Sequence, residues 1–175
     1  MCQSTPALSR RALLAGVALL PLMATAARAA ADAPVLNLPK PGPRDTCPVC
    51  GMFVEGYPDW VATVVYDDGF AHHFDGAKDL FKYLADVSKY APGRSAQAIT
   101  AMGVTDYYGV TMIDARAARY VIGSDVLGPM GHELVPLASD AEAADFLKDH
   151  AGQRQVSADQ VTPALLVGLD QGRFE

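Results

Sequence analysis

The sequence predicts an α+β protein of two similar small lobes, each strand–strand–helix plus a further strand, behind an N-terminal signal segment. Three observations predict it. In "DWVATVVYDDGFAHHF" two β-branched and aromatic runs flank Asp68-Gly69, and apolar residues then recur at Ala77, Leu80, Phe81 and Leu84, the spacing of one helix face. The same order recurs from "ARYVIGSDV" through "GHELVPLA" to "SDAEAADFLKDHAG". The chain also opens with Arg10-Arg11, an apolar stretch and "ARA" at residues 27–29, the layout of a secretory signal of the twin-arginine type.

Taken in order, residues 1–29 read as a cleaved signal peptide. Pro21 interrupts their apolar run, which falls short of the roughly 20 residues needed to span a bilayer. Cys2 precedes that run, so it is not placed for lipid attachment and leaves with the signal. Residues 30–46 carry Pro34, Pro39, Pro41 and Pro43 and read as an extended arm, because proline fixes its own φ and biases the residue before it. The first lobe is expected over 47–103. It comprises a tight hairpin turn at Asp68-Gly69, a helix over 76–85 with Asp75 as N-cap, and a linker broken by Pro92 and Gly93. The second lobe, 104–175, holds strands in "VTDYYGVTMIDAR", "ARYVIGSDV" and "GHELVPLA", then a helix. Ser139 with Glu142 makes a capping box at its start, and Gly152 marks its end. "VSADQVTPALLVGLDQGRFE" adds a short strand or helix.

Removing residues 1–29 takes away three arginines and no acid, so the net charge moves from −6 to −9 over the remaining 146 residues. Such acidity excludes nucleic acid and anionic lipid surfaces as partners, since both attract basic patches. It suits a protein that meets cations.

The sulfur is concentrated at one place. "DTCPVCGM" supplies Cys47, Cys50 and Met52. In an oxidising compartment the pair reads first as a small disulfide. A thioredoxin-like redox pair needs a βαβ setting that the proline-rich surroundings do not offer. A closed zinc site needs about four ligands, usually from a second paired motif, and the chain has no second C-x-x-C. A soft cation remains, because thiolate and thioether donors together select Cu(I). "LGPMGHE" contributes Met130, in a turn poorly placed for burial, and His132, which is equally a surface residue at a strand start. His72 and His73 point to opposite faces of a strand and do not serve one ion together. His150 reads as a partner for the helix dipole, and Asp67, Asp68, Asp75 and Asp79 as turn and cap residues. Nothing in the chain forms a nucleophile–base arrangement, a phosphate loop or a carboxylate pair with a pocket, so it is not expected to be an enzyme.

In this order "CPVCGM", "DDGFAHHFDGAKDLFKYL", "YVIGSDVLGPMGHELVPL" and the final "A-x-x-F-L-x-x-H-x-G" helix resemble the NosL family, copper-binding accessory proteins of nitrous oxide reductase. The resemblance runs from about Cys47 to Val156. It implies two strand–strand–helix lobes and delivery of Cu(I) to the copper–sulfide centre of that reductase, in concert with an ABC-type membrane maturation complex. It also implies that Cys50, Met52 and Met130 are sulfur donors, with Cys47 as an added thiol. Many family members are lipoproteins with a cysteine directly after the signal; this chain has Ala29-Ala30 there, so a periplasmic protein without a lipid anchor is expected. "CPVCGM" is also similar to the YHS metal-binding domain, which expects further cysteines where this chain has "HHFDGAKDLF". A thiol–disulfide oxidoreductase is the alternative from the enzyme class.

Overall fold

The computed structural model describes Met1 and residues 31–175. The signal segment expected over 1–29 and its cleavage site lie outside the described residues. Among those described, no helix is long and apolar enough to cross a membrane.

Two antiparallel sheets carry one repeated ββαβ plan. In the first, β1 (Ala62–Tyr66) and β2 (Ala71–Phe74) form the hairpin, α1 (Ala77–Ala85) follows, and β3 (Ile99–Thr105) returns on the other side of β1. β4 (Met112–Asp114) completes the order β2-β1-β3-β4. In the second, β5 (Arg119–Ile122) is central, β8 (Val135–Leu137) and β9 (Arg154–Ser157) flank it, and α3 (Asp140–Asp149) connects those two. The α+β repeat predicted from sequence is therefore present, with one insertion. A small hairpin, β6 (Leu127–Gly128) and β7 (Gly131–His132), sits between β5 and β8 and carries Met130 at its tip. A short α2 (Val87–Tyr90) follows α1, and α4 (Pro163–Asp170) ends the chain.

Several boundaries differ from expectation. β3 runs through the expected division at 103/104, and β4 extends the first sheet to Asp114. The segment read as a linker thus ends in a seven-residue strand, because Ile99, Met102 and Val104 bury against the core and outweigh the breakers at Pro92 and Gly93. Only Gly69 of the Asp68-Gly69 pair has positive φ; Asp68 instead accepts the Phe70 N–H. Ser139 caps α3, but the Glu142 carboxylate reaches back to Ala138, one residue before the cap. The proline-rich arm does not hang free: Val35 bridges Ile113, and the Ala33 N–H donates to Ala138 O at 2.7 Å.

The core follows from strand alternation. On β5, Val121 points towards α3 with Phe146 and Ala143, while Tyr120 and Ile122 point the other way into the main cluster. There Phe81 of α1 meets Tyr120 edge to face at 5.3 Å, so α1 packs on its own sheet and on the second lobe as well. One apolar cluster spans both lobes.

Gly152 follows the end of the second helix as the sequence predicts, but the left-handed residue there is Ala151 (φ 52°). Gly152 serves close packing instead: a Cβ there would lie 2.6 Å from Val121 Cγ1 and 3.1 Å from Leu147 Cα. Gly152→Ala is therefore expected to destabilise the fold by about 1–3 kcal/mol. Gly56→Ala, where a Cβ meets nothing within 4 Å, is expected to be near neutral. Urea melts of the two variants check this.

Candidate metal centre

The thiols are presented by a tight turn. Thr46 and Phe53 form an antiparallel bridge, the Cys47 N–H donates to Met52 O (2.9 Å), and the Gly51 N–H donates to Cys47 O (2.8 Å). Closing the turn places Gly51 at φ +79°, where an L side chain is strained although open space surrounds the position. Cys47 faces inward and is buried; Cys50 is half-buried.

The carboxylates come from the start of α1. Its N-cap is Gly76, whose backbone is extended and which offers no side-chain cap, so the expected capping role of Asp75 is not what the structure shows. Asp75 and Asp79 instead turn to the cysteines. The Cys50 thiol donates to Asp75 Oδ1 at 3.2 Å, and the Cys47 thiol donates to Asp79 Oδ2 at 3.4 Å. Both carboxylates are buried, where the positive end of the helix dipole favours anions. One donor atom from each of Cys47, Cys50, Asp75 and Asp79 lies within 4.8 Å of the others.

Two features show that this group suits a cation. Asp75 Oδ2 is buried with no hydrogen-bond partner among the described residues. Such an atom costs about 1–3 kcal/mol unless something else satisfies it. The thiols, in turn, are held as neutral acids. Burial above all pushes Cys50 up to about 11, and the nearby carboxylates add to the shift against the pull of the Met52 N–H. Burial pushes Cys47 higher still. A cation placed among the four donors reverses this balance, because it favours the thiolate outright.

Met130, from the second lobe, lines the groove on which Cys50 opens. It is exposed at the tip of the β6–β7 hairpin, with Asp79, Tyr90, Leu166 and Asp170 around it. Met52 is half-buried in the cysteine turn, and its carbonyl closes that turn. His132 stands outside the four-donor group: its ring packs edge to face on Phe174 at 4.8 Å, and its Nδ1 is buried without a partner among the described residues. His72 bonds Tyr83 Oη, and His73 bonds Thr63 Oγ1. His150 ends α3 and pairs with Asp125 at 3.3 Å. A separate cleft of about 490 Å³ between the arm and the first sheet shares no lining residue with the groove. Sequence reasoning therefore found the two cysteines of this group and missed the carboxylates. Their i, i+4 spacing, with Asp79 beside the buried stripe of α1, was the available signal.

Fold and site together define a small two-lobed α+β protein with a preassembled thiol–carboxylate group at the N-terminus of a helix. The NosL family model matches residues 40–166, and the chain belongs to the NosL family. The crystal structure of the copper chaperone NosL from Shewanella denitrificans matches with a TM-score of 0.62 at 21% identity, covering 75% of this chain and 99% of that one. At that identity the match speaks for the fold. No curated protein matches the chain.

The raised thiol pKa values give a metal-free expectation. Alkylation should reach half-buried Cys50 well before Cys47. Its rate should climb about tenfold per pH unit from pH 7 to 9 with no plateau, since the thiolate is the nucleophile and Cys50 titrates only near 11. Mass-resolved iodoacetamide labelling checks both points.

Proposed function

We propose that this chain is a periplasmic copper chaperone that takes up one Cu(I) at the cysteine turn and releases it for assembly of the copper–sulfide centre of nitrous oxide reductase. The observation that carries this reading is the four-donor group itself, with free thiols, an unpartnered carboxylate oxygen and a methionine on the same groove. Membership of the NosL family supports it, as does the copper chaperone named among the similar folds. Cys50, Met52 and Met130 are the proposed sulfur donors, with Cys47 as a further thiolate, because soft sulfur selects Cu(I). As the ion enters, the thiol protons would leave to solvent, and Asp75 and Asp79, which accept their hydrogen bonds in the metal-free site, would supply negative charge beside the ion. Cys50 opens on the groove, which leaves an approach for a partner's ligand. Release by ligand exchange to the reductase or to its ABC-type membrane maturation complex uses that opening. Such a carrier turns over no substrate and is not an enzyme.

A thiol–disulfide oxidoreductase is the rival. Such chemistry needs a thiol whose pKa is lowered towards neutrality. Here burial and two carboxylates raise both thiols, and the pair is disfavoured as a nucleophile.

Copper titrations test the proposal. Cys50→Ser is expected to weaken Cu(I) binding more than Cys47→Ser, since Cys50 opens on the groove with Met130. Asp75→Asn is expected to cost about 10–100-fold, the range for a partner of a ligand. Equal losses in the two cysteine variants would indicate that both thiolates ligate symmetrically, and wild-type binding by all three variants would end the copper reading of this turn. The apparent affinity should also rise about tenfold per pH unit for each thiol proton displaced, from pH 6 to 8, because both thiols are protonated there. A slope of one assigns a single thiolate, a slope of two assigns both, and a flat profile contradicts thiolate binding. Catalytic reduction of a model disulfide would favour the rival.

A further inference from the structure

We propose that Lys78 and Glu133 are positioning residues, which hold the Met130 turn at the groove that Cys50 opens into. The proposal deepens the reading of Met130 as a copper donor and rests on it. Met130 has little of its own to fix it: it is 46% exposed, and the hairpin that carries it pairs only Leu127 with His132 and Gly128 with Gly131. Two-stranded hairpins of this kind are marginal in water by themselves.

What holds the turn is a reciprocal clasp from α1. Lys78 is completely buried, and its ammonium donates to Met130 O at 3.0 Å and to His132 O at 2.7 Å. A salt bridge to Asp170 of α4 at 3.2 Å occupies its third proton. In return, Glu133 Oε1 accepts the Lys78 backbone N–H at 2.6 Å and that of Leu134 at 2.9 Å. The Glu133 side chain fits between two glycines: a Cβ on Gly76 would lie 2.4 Å from its Oε2, and one on Gly128 would lie 3.0 Å from its Cγ. Lysine and glutamate are seldom buried completely. An apolar pair would pack the lobes together, but it would not hold the carbonyls of Met130 and His132, which fix the turn on the C-terminal side of the methionine. Position 78 also lies between Asp75 and Asp79, so the clasp registers the methionine against the carboxylate end of the helix.

The test uses the mature chain with [13C]methyl-methionine, comparing wild type with Lys78→Met, Gly76→Ala and Met130→Leu. Gly76→Ala displaces Glu133 without removing a charge and carries the same measurements should Lys78→Met fail to fold. In the metal-free protein the Met130 methyl signal is expected to move towards that of free methionine in both clasp variants. The signal of buried Met102 is expected to stay. With Cu(I), each clasp variant should lose affinity about tenfold or more, as for a ligand's supporting partner. Added to Met130→Leu, the same substitution should cost no more than about a further twofold, because coupled residues are not additive. X-ray absorption should then show one sulfur fewer on copper in the clasp variants. An unmoved Met130 methyl in a folded clasp variant, or fully additive affinity losses, overturns the proposal. If Met130→Leu alone leaves copper binding unchanged, Met130 is not a donor, and the methyl signal still decides whether the clasp positions the turn.

Discussion

The site depends on how the two lobes are joined at the start of α1. That helix end carries Asp75 and Asp79 for the thiols, the Lys78 side chain for the β6–β7 turn, and the Lys78 backbone N–H that donates to Glu133. Within five residues, Asp75 to Asp79, one helical turn contacts the cysteine loop, the inserted hairpin and, through Lys78 and Asp170, the last helix. A helix N-terminus suits this role, because its first N–H groups lack partners inside the helix and its dipole favours anions. Glu133 satisfies one of those groups from the other lobe. Lys78 completes the exchange from the side-chain direction.

The chemistry follows from burial. Two thiols and two carboxylates placed together would repel as four anions, and the structure avoids this by keeping the thiols protonated and hydrogen-bonded to the carboxylates. Burial is the main cause of that protonation, so a metal ion must displace protons to enter. This gives a carrier a natural way to hold and release its cargo: the protons that leave on loading can return on transfer. The unpartnered oxygen of Asp75 marks the side on which the metal-free site is incomplete.

The repeat explains why the second lobe borders a site built in the first. Each ββαβ unit buries its helix against its own sheet, but β5 is apolar on both faces, with Val121 under α3 and Tyr120 and Ile122 against α1 and its neighbours. The lobes thus share one core and have a fixed relation. The insertion between β5 and β8 breaks the symmetry of the repeat and places Met130 on the groove beside Cys50.

Sequence by itself determined the local structure and the soft donors. The Asp68-Gly69 turn, the apolar period of α1, the Ser139 cap and the two lobes were legible because each rests on contacts within a few residues. Cys47 and Cys50 were legible as members of the four-donor group because so few residue types supply soft sulfur. Tertiary structure decided the rest. Asp75 and Asp79 read locally as cap residues, since a carboxylate before a helix usually is one. Only the fold of the cysteine turn onto α1, more than 20 residues away in sequence, gives them thiol partners. His132 shows the reverse: a plausible ligand by spacing, it turns to Phe174 because the chain's C-terminal end packs there. The strand in the expected linker and the Lys78–Glu133 clasp were likewise illegible, since each is fixed by partners distant in sequence, and no short-range pattern records them.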